Sequence, residues 1–149
     1  MKKQLILILL TLGLGQSLLA QSTVNSKGRV IDAAGNVYYG TTKLGSVSKD
    51  SIVKNATGKP IAFLKSGGIL VDSKGKTLGK MGKDGKTFYN ADGAFLFTIK
   101  DNTDSETCDV LDAKGKVIGN VHNNFKATAC TLHCFSNQMT PKTHKKIKK

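Results

Sequence analysis

Apolar pairs followed by a short polar reversal recur along this chain at nearly constant distance. The clearest copy is the stretch 68–85, GILVDSKGKTLGKMGKDG, in which Leu70 and Val71 lead into Asp72-Ser73-Lys74-Gly75 and are followed by Leu78 and Met81. Asp, two polar residues and Gly make a turn: the carboxylate accepts from backbone N–H groups two or more residues on, and Gly supplies the positive φ that closes the reversal. Between β-compatible runs this predicts a hairpin. The same pattern returns with Asp32 and Gly35, Asn55 and Gly58, Asn90 and Gly93, and Asp112 and Gly115, so that successive glycines lie 23, 17, 18 and 22 residues apart.

Other positions keep step with the glycine. Five before it stand Val30, Val53, Leu70, Phe88 and Val110, three after it Tyr38, Ile61, Leu78, Leu96 and Ile118, and six after it Thr41, Leu64, Met81, Ile99 and Val121. Four after it, Ala62, Gly79 and Gly119 are small, which predicts a close approach of backbones in those units. Self-similarity at a fixed period signals a repeat architecture. A single hairpin is marginal in water, so five must share a core. The expectation is an all-β fold of five β-hairpin repeats in a radial array over residues 21–135. After the turn signal at His122-Asn123-Asn124, residues 125–135, FKATACTLHCF, alternate like a strand but lack the hinge, which predicts a capping strand.

The two ends differ from this pattern. Residues 1–20 combine Lys2 and Lys3, an apolar run and a small residue before Gln21, the pattern of a signal peptide cleaved after Ala20. The run is short of the roughly 20 residues that span a bilayer, so no membrane span is expected after cleavage, and the mature chain is expected in the periplasm or outside the cell. Residues 136–149 turn to Ser, Asn, Gln, Thr, Pro and Lys without apolar periodicity and read as a disordered basic tail.

Charge narrows the partners. The formal net charge is +13, yet of 23 basic residues only Arg29 is arginine. Lysine is a solvated point charge, whereas arginine forks onto phosphates and bases, so specific nucleic-acid binding is not expected. Many lysines, among them Lys59, Lys74, Lys76, Lys83, Lys114 and Lys116, fall at predicted turns. They suit a solvated exterior first and, second, weak attraction to an anionic glycan or envelope polymer. Another envelope protein is the remaining candidate partner.

The repeated apolar-apolar-Asp/Asn-x-x-Gly-x-x-apolar unit after a signal peptide resembles the secreted bacterial five-fold β-flower proteins. The likeness covers residues 28–121 and implies hairpins set radially about a pseudo-five-fold axis. It implies no activity.

Candidate chemistry is sparse. Asp32, Asp72 and Asp112 with Asn55 and Asn90 would line one rim of a radial array, but turn chemistry accounts for each of them, and two are amides. His122, Cys130, His133 and Cys134 lack a standard zinc spacing, and in an extended strand His133 points away from both cysteines. The same strand sets Cys130 and Cys134 about 13 Å apart, too far for a bridge. An oxidising compartment therefore favours a structural disulfide from Cys108 to Cys130 or Cys134, with one thiol left over. A thiol or hydrolytic enzyme built on Cys130, His133 and Cys134 is a distant alternative. Tyr38, Tyr39 and Tyr89 are possible sugar platforms, with strand packing the simpler role for those at pattern positions. No P-loop, dinucleotide fingerprint or G-x-S-x-G elbow occurs. No cofactor and no catalysis are expected.

Overall fold

A computed structural model describes residues 28–138. The expected signal peptide and most of the expected basic tail lie outside them. Eleven strands close into a barrel: β1 (Arg29–Ile31), β2 (Asn36–Tyr39), β3 (Thr42–Val47), β4 (Ile52–Asn55), β5 (Pro60–Lys65), β6 (Ile69–Asp72), β7 (Thr77–Met81), β8 (Thr87–Asn90), β9 (Phe95–Asp101), β10 (Thr107–Leu111) and β11 (Val117–His122). Each strand runs antiparallel to the next, and the parallel pairing of β1 with β11 closes the ring, which leaves no free sheet edge. The all-β expectation holds, with hairpins as its units.

Five hairpins carry the same irregularity. In β2–β3, β4–β5, β6–β7, β8–β9 and β10–β11 one extra residue bulges from the second strand: Leu44, Ile61, Leu78, Leu96 and Ile118. A bulge bends and twists its strand, which curves a sheet of short strands toward closure. The bulged residue packs against the core, and the residue after it, Gly45, Ala62, Gly79, Phe97 or Gly119, faces the interior. The predicted close approach is real. A Cβ on Gly79 would lie 2.4 Å from the Phe88 ring, and one on Gly45 would lie 2.7 Å from the Phe135 ring.

This pairing shifts the frame read from the sequence. The first of the five bulged hairpins is β2–β3, built on Val37, Leu44, Gly45 and Val47, and it turns at Gly40 without an Asp-x-x-Gly. The turn of Asp32 and Gly35 joins an additional strand, β1, to β2. Because neighbouring strands alternate in direction, that turn lies at the opposite end of the barrel from those of Asn55, Asp72, Asn90 and Asp112. The end where β1 begins is called the lower rim below, and the other the upper rim.

The C-terminal segment is the second correction. Residues 125–135 do not form a capping strand. A 3₁₀ helix spans Asn123–Gln138, includes the first three residues of the expected tail, and packs against β1, β3, β5, β10 and β11. It fills the lumen: Phe125, Ala129, Cys130, Thr131, Leu132 and Phe135 are buried among Ile31, Val37, Val53, Leu70, Phe88 and Val121 from around the wall. The reason is geometric. Eight strands already make an interior that side chains just fill, so eleven leave a space that needs a plug. Three residues per turn align Phe125, Thr128, Thr131 and Cys134 along one row. Thr128 Oγ1 donates to the Phe125 carbonyl at 2.8 Å and Thr131 Oγ1 to that of Thr128 at 2.6 Å, so both buried hydroxyls are satisfied. The plug enters at the upper rim, where Asn123 N–H donates to the Glu106 carbonyl and Lys126 pairs with Asp101. Phe125 packs beside Gly35 there, and Arg29, at the lower end of β1, donates to the Ser136 carbonyl.

Candidate functional site

The repeat turns are occupied by their own hydrogen bonds. Asp72 Oδ1 accepts from the backbone N–H of Lys74 at 2.8 Å and of Lys76 at 2.9 Å, and Asp112 does the same with Lys114 and Lys116. Asn55 and Asn90 use their amide oxygens identically, on Thr57 and Lys59 and on Asp92 and Ala94, as Asp32 does on Ala34 and Asn36. The glycines Gly35, Gly58, Gly75, Gly93 and Gly115 sit at φ of 75–84°, where a side chain would strain the backbone. The N–H groups of Lys76 and Lys74, with their ammonium charges, hold the Asp72 carboxyl below its ordinary range, and Lys116 and Lys114 do so for Asp112. At the upper rim, Thr87 Oγ1 and the N–H groups of Lys86 and Thr87 hold Asp84 down at about 2. Carboxylates that remain ionised and are already hydrogen-bonded do not serve as general acids.

The cysteine and histidine cluster also changes character. Cys108, Cys130 and Cys134 are all free thiols. No bridge from Cys108 forms, because its sulfur lies beside Asn123, where the plug begins, and donates to Asn123 Oδ1 at 3.2 Å. Cys130 follows seven residues further along a helix rising about 2 Å per residue, roughly 14 Å away, well past the ~7 Å that bridged α-carbons allow. Burial pushes Cys130 up to about 12, with the neighbouring Cys134 adding to it, and burial also pushes Cys134 up to about 12. A nucleophile needs the thiolate, which these sites suppress. His133 is half-buried with its ring 5.8 Å from Phe88, and burial lowers its pKa, aided by Arg29. His122 lies on the upper rim, 3.5 Å from Glu106. Among the described residues, no three of His, Cys, Asp and Glu come together in a way that could hold a metal ion.

What remains is the surface, and it is polarised. The lower turns carry Lys59, Lys74, Lys76, Lys114 and Lys116, all exposed, against Asp72, Asp92 and Asp112. The upper turns carry Lys49, Lys83 and Lys86 against Asp32, Asp50, Asp84, Asp101, Asp104 and Glu106. Adding the strand ends and the plug keeps the order: Lys65, Lys100 and Lys126 bring the upper rim to neutrality, and Lys43 and Lys54 make the lower one more basic. Two-strand spacing sets neighbouring hairpin tips about 10 Å apart.

Exposed aromatics follow the same polarity. Tyr39 ends β2, and Tyr89 and Phe95 flank the β8–β9 turn, so all three adjoin lower turns, whereas Tyr38 is half-buried. The four aromatics of the β8–β9 hairpin are therefore divided. Phe88 and Phe97 stack inside with ring centres 5.2 Å apart, and Tyr89 and Phe95 meet edge to face outside at 6.4 Å. Pattern position alone makes the tyrosines packing groups first and surface groups second. The alternation that turns Phe88 inward also turns Tyr89 outward, and that is the signal in the sequence for its exposure.

The barrel is unlike a membrane-spanning one. Its strands are three to seven residues long, short of the nine to eleven such strands need, and its apolar side faces the lumen. Searches against family models, curated proteins and solved structures find no match to this chain. Fold and surface together define a closed, plugged β-barrel with one basic, aromatic-bearing rim.

Proposed function

We propose that this chain is an exported, non-enzymatic β-barrel module with a binding role at the cell envelope, where its lower rim engages an anionic polymer. The opening residues 1–20 support export, and the five recurrent bulges support a radial, pseudo-five-fold arrangement of the kind implied by the β-flower resemblance. The observation that carries the reading is the charge difference between the rims: the lower turns set five lysines against three carboxylates, two of them bound into their own turns, and the upper turns set three lysines against six. Lysines about 10 Å apart suit a partner whose charges recur along its length, because weak contacts made together add up. The five lysines that follow Gln138 in sequence add to the charge.

The test compares two variants of the full mature chain on a polyanion matrix. Replacing Lys59, Lys74, Lys114 and Lys116 by Gln is expected to lower the salt concentration for elution by more than half, since each lost lysine contact removes the affinity gained by releasing a counterion. Replacing Lys49, Lys65, Lys86 and Lys100 removes as many charges away from the lower rim, and its elution is expected to stay close to that of the parent. Equal shifts for the two variants would mean that net charge alone, and not the rim, governs binding.

A further inference from the structure

The large apolar side chains most exposed on the barrel are Tyr39, Tyr89, Phe95 and Val117, at 47, 37, 39 and 42%. Every one of them adjoins a lower turn, the same rim that concentrates the lysines. Tyr89 and Phe95 are directly opposed across β8–β9, edge to face, and so present a ring face and a ring edge side by side. Alongside runs an open groove of about 350 Å³ over β7 and β8, lined by Lys80, Lys83, Tyr89 and Asn90 among others. The Asn90 amide oxygen is held by its turn, accepting from Asp92 and Ala94, which leaves its NH₂ group as the donor to the groove.

We infer that this groove is a saccharide subsite and that the anionic polymer is an acidic polysaccharide. The inference rests on the polyanion reading above and adds the chemistry of the polymer's backbone. A pyranose ring has an apolar C–H face and an equatorial belt of hydroxyls. Tyr89, which lines the groove, offers the apolar surface that the face needs at little cost in side-chain entropy, and Phe95 supports its ring edge to face from outside the lining. Asn90 offers a donor to hydroxyls, and Lys80 and Lys83 offer cations to a carboxylate carried on the same ring or the next. Hairpin tips about 10 Å apart place Lys74 and Lys76 on one side of the β8–β9 tip and Lys114 and Lys116 on the other, while that tip itself carries Asp92, so the cations flank the subsite on the scale of a few sugar rings. The exposed aromatics sit on two separated hairpins, Tyr39 on β2–β3 and the Tyr89–Phe95 pair on β8–β9, rather than in one broad patch, which disfavours a protein partner seeking a continuous apolar face.

The experiment measures, by titration calorimetry at fixed salt, the affinity of the full mature protein for polygalacturonate and for inorganic polyphosphate, which is likewise a linear polyanion but has no sugar face. The double variant Tyr89→Ala with Phe95→Ala is expected to weaken polygalacturonate binding about tenfold, the usual scale for truncating an interface aromatic, and to leave polyphosphate binding unchanged. Tyr89→Phe keeps the ring and is expected to keep the affinity, and unchanged thermal unfolding of each variant separates a missing stacking surface from a damaged fold. An equal fall for both polymers, no change for either, or parent protein that binds polyphosphate but not polygalacturonate overturns the saccharide assignment while leaving the polyanion reading in place. Parent protein that binds neither overturns both.

Discussion

A chain ending at Asn123 is expected to have no cooperative unfolding transition. The residues removed include Phe125, Leu132 and Phe135, at 3, 3 and 0% exposure, together with the buried Ala129 and Cys130. Burial of each large apolar side chain contributes about 1.5–3 kcal/mol. Three of them alone therefore approach or exceed the lower part of the roughly 5–15 kcal/mol that a folded domain has in total. The lumen they vacate is lined by Leu70, Phe88 and Val121 and cannot close on itself, because the wall is fixed by a continuous ladder of eleven strands. Differential scanning calorimetry reads the result. A chain ending at Gln138, which keeps the whole plug, is expected to unfold within a few degrees of the full chain. A sharp transition in the shorter chain would show that the barrel holds its shape without the helix.

The second large effect is expected at Gly45. A Cβ there would stand 2.1 Å from the Lys54 carbonyl oxygen and 2.7 Å from the Phe135 ring, so strand β4 and the plug would both have to move. Val at this position is expected to destabilise the protein by more than about 3 kcal/mol, at or beyond the upper end of overpacking costs, since one of the two clashes is with backbone. Gly79→Val is expected to behave alike, because its Cβ would meet the Phe88 ring and the Tyr89 carbonyl, both at 2.4 Å. Urea midpoints at unchanged slope give the comparison. A destabilisation below about 1 kcal/mol would mean that the small residues after the bulges do not set the wall against its contents.

These glycines show which features are legible in the sequence and which are hidden there. The period, the Asx turns and the inward positions at Val53, Leu70, Phe88 and Val110 can be read directly, because turn chemistry and alternation act over a few neighbouring residues. That same local logic misframes the first repeat. Asp32 and Gly35 make a turn as good as the others, while the hairpin that repeats the bulge turns at Gly40 and carries no Asp. Only long-range pairing distinguishes them. Residues 125–135 mislead for a related reason. Thr and Phe favour strands, and the alternation of the segment looks like a capping strand. What makes them helical is an empty lumen around them, a tertiary condition that no local window contains. The expected disulfide fails with the strand, since it requires Cys130 or Cys134 to pass beside Cys108.

Of the candidate chemistry, the Asp and Asn residues read as turn formers on their spacing alone, and each is hydrogen-bonded there. The polarity of the rims is not legible. Lysines are spread along the whole sequence and reach both rims, and only the alternation of strand direction, reset by the extra strand β1, gathers most of the rim carboxylates at the upper end and leaves the lower one basic.

The placement of the plug inside a closed wall underlies both the fold and the assignment of the rims as the working surface. Thiol labelling of the full mature chain, prepared without reductant, tests it most directly. The expected result is three free thiols per chain on denaturation, with Cys108 and Cys130 unreactive toward a maleimide in the native protein and labelled only as it unfolds. A disulfide between Cys108 and either other cysteine, or labelling of native Cys130 as fast as an exposed thiol, would put the C-terminal segment outside the barrel and contradict a plugged wall.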